Sequence, residues 1–452
     1  MAATALTLRS TRVVTPDGVG PADVHVRGEV IADVTPASSP ATGTVLDVGD
    51  AVVSPGLVDI HVHVNEPGRT DWEGFATATR AAAAGGVTTL LDMPLNCIPP
   101  TVTDAALAAK RAAAVGRCHV DVGFWGGIVP DNVDDLADLH AAGVFGFKAF
   151  LADSGVDEFG HVDETQLEAA MRRLADLDAL TLVHAEDADV IASAAGALDA
   201  GDPRAHATWL ASRPDEAEVR AVARIGRLAA TTGARAHVLH LSSAEAVTPL
   251  RHAARGGARI TAETCPHYLT FADETIPVGA TSHKCAPPIR TAANRERLWT
   301  ALADGTIAVV ASDHSPCPPE LKRRGSGDFV HAWGGISSLQ LGLSSVWTGA
   351  VDRGHVPIDV IEWMSSAPAR LVGLRRKGAL GPGNDADLVV WDPDETWVVD
   401  AAALEHRHPL TPYDGLELRG RVRSTWLRGR KIYDDGAVIG PPTGRLLHRE
   451  ER

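Results

Sequence analysis

The sequence predicts an α/β protein: a (β/α)8 TIM-like barrel with a small β-sandwich domain built from both chain ends. Three observations predict it. Eight apolar runs of strand length alternate with segments of helical period through the middle of the chain. Both ends instead carry short strands punctuated by turns. The polar residues with chemistry to offer fall at the C-terminal ends of the middle strands, where a barrel gathers its site.

At the N-terminal end the strands are Ala5–Val14, Ala22–Arg27, Val30–Val34 and Thr44–Asp47. The barrel strands are Ala51–Val64, Val87–Met93, His119–Val129, Val144–Leu151, Leu180–Ala185, Arg235–Leu241, Ile260–Cys265 and Ile307–Ser312. With their helices they span about 260 residues, a usual size for this barrel. Ala, Leu and Arg recur at helical period in Gln166–Asp176, Glu216–Thr231 and Ala244–Ala254. Gly381-Pro-Gly-Asn-Asp is a turn, and Asp387–Trp391, Val422–Leu427 and Lys431–Tyr433 are strands. The expected division is residues 1–53 with 376–452 as the small domain and 54–375 as the barrel. A doubly wound open sheet is the structural rival, but no G-x-G-x-x-G follows the first middle strand.

Of 452 residues, 45% are hydrophobic and 22% charged, enough for a large core. The net charge is 42 − 58 = −16, which argues against nucleic-acid binding and against a cationic membrane face. No apolar run is long enough for a membrane span. Met1–Gly18 carries Arg9 and Arg12 without an apolar stretch behind them, so no signal peptide is expected. Cys97, Cys118, Cys265, Cys285 and Cys317 are odd in number and form no C-x-x-C pair. That pattern fits buried thiols in a reducing cytoplasm.

The first barrel strand ends Asp59-Ile-His61-Val-His63, and side-chain alternation puts both imidazoles on one face, as a divalent metal requires. Lys148 lies among Phe145, Phe147, Ala149 and Phe150, where a bare ammonium carries a desolvation cost. His184, His240 and Asp313 stand at three further strand ends. Each has a plainer reading alone: a hydrogen-bonded core histidine, a lysine with its head in water, a helix-capping aspartate. Four histidines, one enclosed lysine and one aspartate at strand ends point together to a metal site.

Those residues sit in Gly56-Leu-Val-Asp-Ile-His-Val-His63, Gly146-Phe-Lys-Ala-Phe150, Val183-His-Ala-Glu186 and His240-Leu-Ser-Ser243. Glu263-Thr-Cys-Pro-His-Tyr-Leu269 and Ala286-Pro-Pro-Ile-Arg290 follow. The set resembles the cyclic amidohydrolases of the amidohydrolase superfamily: dihydroorotases, hydantoinases and allantoinases. The resemblance runs through Asp385-Ala-Asp-Leu-Val-Val390 and so covers essentially the whole chain. It implies that His61, His63 and Asp313 hold one divalent metal and that His184 and His240 hold another. Lys148, carboxylated by CO2 to a carbamate, would bridge them. Zinc is the first expectation, with cobalt, nickel or manganese compatible.

Glu66-Pro-Gly-Arg-Thr, Met93-Pro-Leu-Asn96, the run from Ser312 to Lys322 and Ala332-Trp-Gly-Gly-Ile336 resemble the allantoinase branch most. Dihydroorotases carry an Arg and an Asn, which grip a substrate carboxylate, where this chain has Asn65 and Leu95. The resemblance therefore implies opening of the neutral hydantoin ring of allantoin to allantoate. A hydantoinase or dihydropyrimidinase is the alternative, a dihydroorotase a more distant one. Asp313 would both ligate and transfer the proton. Asn96, Ser315 and Trp333 are candidate substrate contacts, with backbone alone at Ala286. His314 should point away. A non-catalytic scaffold is the rival of another class, but all six ligand positions are intact. The family commonly forms homotetramers, and the same is expected here.

Overall fold

The computed structural model describes residues 5–37, 43–323 and 327–449. Eight parallel strands form its centre: β1 (Leu57–Val62), β2 (Val87–Asp92), β3 (Asp121–Phe124), β4 (Gly146–Phe150), β5 (Leu180–His184), β6 (Arg235–Val238), β7 (Ile260–Thr264) and β8 (Val309–Val310). Each pairs with the next, β3 reaching β4 through Gly126–Gly127. The ring closes where Val62 bridges His314 and the His63 N–H donates to the His314 carbonyl at 2.8 Å. Strands covered on both faces are apolar throughout, and β1, β2, β4 and β5 are buried at every residue. Alternate positions serve two layers. Leu91, Trp125, Leu182 and Val309 share one apolar cluster. Leu90, Phe147, Val183 and Val310 share another with the helix residues Leu107, Leu167, Ile225 and Leu298.

One main helix follows each strand: α1 (Phe75–Ala84), α2 (Asp104–Ala114), α3 (Leu136–Ala141), α4 (Glu164–Asp176), α5 (Asp215–Thr232), α6 (Val247–Arg255), α7 (Ala292–Ala303) and α8 (Gly342–Val351). The start of α4 is fixed by a capping box between Asp163 and Gln166. Gly233, at φ 75°, ends α5 in the left-handed region that glycine tolerates. Among the described residues no helix is long and apolar enough to cross a membrane.

Three expected strands differ in detail. The run Ala51–Val64 is two strands in two sheets: Val52–Pro55 joins the end sheet, and Leu57–Val62 enters the barrel. Gly56 permits the crossing, since a Cβ there would lie 2.2 Å from the Thr88 hydroxyl. The run His119–Val129 breaks at Trp125, whose backbone N–H turns to the Asp92 carbonyl at 3.0 Å. Only Val309–Val310 of the eighth run pairs as strand. The helical run from Ala244 starts as a 3-10 turn capped by Ser243, and α6 begins at Val247.

Both chain ends build one nine-stranded sheet. Val52–Pro55 lies between Ala5–Thr15 and Leu388–Val398, so the N- and C-terminal strands share a core of Leu8, Val24, Ile31, Leu388, Val390 and Trp426. Buried charges join this sheet to the barrel. The Lys377 ammonium donates to Asp121, the first residue of β3, at 2.9 Å and to Asp387 at 2.6 Å. Arg428 donates to both Asp121 oxygens at 2.5 Å. Lys377→Met leaves two buried carboxylates short of a cation and is expected to cost about 3–5 kcal/mol. Denaturant unfolding checks this; an unchanged midpoint would show that the ion pairs do not tie the two parts together.

Candidate metal centre

The six predicted ligand residues converge at the C-terminal ends of the barrel strands, and all are buried. The Lys148 ammonium lies 3.3 Å from His61 Nε2 and 3.5 Å from His63 Nε2. Asp313 Oδ1 lies 3.1 Å and 3.5 Å from the same two nitrogens. His184 Nδ1 faces His240 Nε2 at 3.0 Å. The His61 and His240 rings, 5.3 Å apart, bring the two groups together.

The plainer readings of these residues do not hold. Lys148 is only 1% exposed, so its head does not reach water. Asp313 begins no helix; its side chain sits against two imidazoles. His184 gives Nε2 to an acceptor, Glu186, but turns Nδ1 to a second ring nitrogen, His240 Nε2, rather than to an acceptor.

Carboxylates behind the histidines set which nitrogens face inward. Glu263 takes His61 Nδ1 and, through its other oxygen, His237 Nε2 at 3.1 Å. Glu186 takes His184 Nε2 at 2.7 Å and is paired with Arg213. His61 Nε2 and His184 Nδ1 are thus left as lone-pair donors aimed into the site. Among the described residues, His240 Nδ1 and His63 Nδ1 have no hydrogen-bond partner. His240 and Asp313 hold φ of 35° and 44°, left-handed conformations that cost about 1–3 kcal/mol each in a non-glycine residue.

Burial pushes the Lys148 ammonium down to about 8. Burial, with Lys148 adding to it, takes His63 down to about 3. Burial would raise Asp313, but His61 and hydrogen bonds from His61 and His63 hold its carboxyl well below the usual range. His63 is therefore neutral beside an ionised Asp313, whereas at His61 Asp313 and Glu263 outweigh burial and hold the imidazole above its usual range. Ligand atoms of His61, His63 and Asp313 all lie within 4.8 Å of one another. Imidazole lone pairs with carboxylate oxygen are a donor set for divalent cations, and the residues fit such an ion.

A cavity of about 250 Å³ opens onto His63, Lys148, His184, His240 and Asp313. Asn96, Ser315 and Trp333, the three expected contacts, line it, as do Leu95 and Ala286. Gly335 (φ 118°) brings the loop after Trp333 against Ser315, where a Cβ would lie 2.3 Å from the Ser315 carbonyl. Asn65 turns away and donates to the Pro316 carbonyl at 3.3 Å. His314 also points away, toward Glu73 at 3.3 Å, and its Nδ1 accepts from the Ser338 N–H at 3.1 Å.

Sequence reasoning missed several residues here. Glu186 was signalled by its i,i+2 spacing from His184 on one strand face. Glu263 stood in a quoted motif without a role. Trp209, Arg213 and Lys284 line the cavity from segments distant in sequence, and no local pattern marks them. Lys284 donates to the Ala332 and Val330 carbonyls at 2.6 Å and 3.1 Å and lies over the Trp209 ring. Cys265 and His267 also approach Asp313 within 4.8 Å.

The amidohydrolase family model matches residues 52–432. An allantoinase of Streptomyces avermitilis is 55% identical over 98% of this chain and 99% of its own. Those of Arabidopsis thaliana and Saccharomyces cerevisiae are each 43% identical, over 97% and 93% of this chain and 90% and 92% of theirs. An L-hydantoinase structure from Arthrobacter aurescens superposes with a TM-score of 0.93 at 31% identity, covering 99% of this chain and 100% of that one. A dihydropyrimidinase from Brevibacillus agri gives 0.90 at 28%, with 99% of both chains covered.

Glu263→Gln removes a charged acceptor from His61 Nδ1. Divalent-metal affinity is expected to fall about 10–100-fold with the fold retained. Competition against a chelator measures it, and unchanged affinity would show that Glu263 does not prepare His61.

Proposed function

The chain belongs to the amidohydrolase family, and from that premise we propose that it is an allantoinase, opening the hydantoin ring of allantoin at its internal amide to give allantoate. The observation that carries this reading is the 55% identity to an allantoinase along nearly the full length of both chains. The cavity supports it. Where dihydroorotases place an Arg and an Asn on a substrate carboxylate, Asn65 is engaged elsewhere and Leu95 offers only apolar surface. Arg213 is committed to Glu186, and Lys284 to two carbonyls. A neutral ring needs no further cation.

His61, His63 and Asp313 would hold one divalent ion, His184 and His240 a second, with Lys148 between them as a carbamate. Zinc is proposed first; cobalt, nickel and manganese suit the same donors. When bound, the pair supplies Lewis-acid polarisation of the scissile carbonyl and lowers the pKa of a water. Carboxylation converts the buried Lys148 from a cation to an anion: the neutral amine adds to CO2, an N–C bond forms and one proton is released. Asp313, ionised beside the histidines, takes the proton of the attacking water and delivers it to the ring nitrogen as the C–N bond breaks. Glu263 and Glu186 keep His61 and His184 in the tautomers that face the site. Asn96, Ser315 and Trp333 orient the ring. The same reading places a homotetramer in the cytoplasm, in keeping with five buried cysteines. The fold likeness to hydantoinases favours a hydantoinase as the second reading, but at 31% identity rather than 55%.

With metal-reconstituted protein, allantoin should show the highest kcat/KM among allantoin, hydantoin and dihydroorotate. Dihydroorotate should be slower by about 10–150-fold, since its carboxylate lacks a charged partner worth about 1.5–3 kcal/mol. Equal turnover of hydantoin or dihydroorotate would overturn the substrate assignment.

Loading should also depend on pH. Only the neutral amine reacts with CO2, and burial brings the Lys148 ammonium down to about 8. At fixed dissolved CO2, recovery of activity by apoprotein should therefore accelerate as pH rises to about 8 and then level off. Lys148→Ala should bind little metal at any pH, with partial rescue by short-chain carboxylic acids. A loading rate independent of pH, or full metal content in Lys148→Ala, would refute the carbamate.

A further inference from the structure

Arg290 closes the quoted Ala286–Arg290 motif, yet the reaction gives it no task. It is 5% exposed and lies outside the cavity lining. Its guanidinium donates to Glu218 Oε2 from Nη2 at 2.8 Å and from Nε at 3.2 Å. Glu218, on α5, is also buried. Its other oxygen accepts the backbone N–H groups of Ser242 at 2.9 Å and Ser243 at 3.1 Å. Those amides lie two and three residues after His240, whose left-handed φ of 35° must be held by its surroundings. One route therefore runs from Arg290 through Glu218 to the backbone that aims His240.

A second route leaves the same side chain. Arg290 Nη2 donates to the Arg213 carbonyl at 3.2 Å. The Arg213 guanidinium is paired with Glu186, and Glu186 accepts His184 Nε2. Both routes end on the two histidines whose nitrogens face each other at 3.0 Å. Among the described residues Arg290 itself bonds none of His61, His63 and Asp313; the nearest link is the His240 N–H, which donates to Glu263 Oε1 at 3.3 Å. The remaining contact, Asp215 at 3.3 Å, faces outward and is half exposed.

We propose that Arg290 is a positioning residue for the second metal position, setting His184 and His240 together while leaving the His61–His63–Asp313 position unaffected. The inference rests on the two-metal reading above. It also has a chemical requirement: five donors in a fixed plane satisfy Glu218 and the Arg213 carbonyl at once, which a lysine's single ammonium cannot reproduce.

The test is a zinc titration of apoprotein loaded with CO2, read as affinity for each equivalent, with cobalt absorption as a second readout. Wild-type protein, Arg290→Met and Arg290→Lys are compared, and thermal unfolding is followed in each. In Arg290→Met the first equivalent should bind as in wild type and the second about 10–100-fold more weakly. Arg290→Lys, which keeps a charge for Glu218, should recover part of the loss. Equal weakening of both equivalents, no weakening, or loss of cooperative unfolding in both variants would each overturn the proposal, the last by making Arg290 a residue of the fold. Wild-type protein that binds a single equivalent would instead overturn the two-metal reading itself.

Discussion

A lysine ammonium enclosed against two imidazole nitrogens is the constraint around which the rest of the structure is arranged. Burial of an unpaired charge costs several kcal/mol even after relaxation. Lys148 is only 1% exposed, at the floor of the cavity, and its head meets ring nitrogens at 3.3 Å and 3.5 Å. Asp313 meets the same ring nitrogens on another side. Such an arrangement is unfavourable as bare protein. On the proposed reading it would become favourable once lone pairs, a carboxylate and a lysine-derived anion share divalent cations.

The barrel makes that concentration of strain affordable. Its strands are buried at all but two positions, and its last strand barely pairs before the chain turns into the site. Closure falls instead to the bridge between Val62 and His314, between the first and last ligand segments. Asp59, buried and raised to about 6 by burial, accepts the His61 and Ser312 amides and ties those segments together. Outside the ligands stands a ring of carboxylates, each serving one histidine and one further partner. Glu263 links His61 to His237, and Glu186 links His184 to Arg213. The non-glycine left-handed residues His240 and Asp313 lie inside this support.

The six candidate ligand residues were legible in the sequence because five stand at or just beyond the ends of continuous apolar runs and Lys148 lies inside one. His61 and His63 share a face by side-chain alternation alone, and Lys148 was conspicuous for its aromatic neighbours. The change of sheet at Gly56 was not legible, because both halves of Ala51–Val64 are equally apolar. Nor was the shortness of β8, whose residues are apolar for packing rather than for pairing. The far wall of the cavity was least visible. Trp209, in the short helix His206–Ala211, and Lys284, 75 residues on, meet through a cation–π contact, and nothing local in either segment announces it. The carboxylates behind the histidines fall between these cases: their spacing was in view, but their partners are set by the closed barrel.

Diffraction at the absorption edge of the metal carried by the purified protein tests the central claim most directly. The account predicts two anomalous peaks. One should lie about 2.0–2.2 Å from His61 Nε2, His63 Nε2 and an Asp313 oxygen, the other at similar distances from His184 Nδ1 and His240 Nε2. Continuous density should join both to the Lys148 nitrogen. Active protein with no peak at these residues, or with an unmodified Lys148 beside an occupied pair, would contradict it.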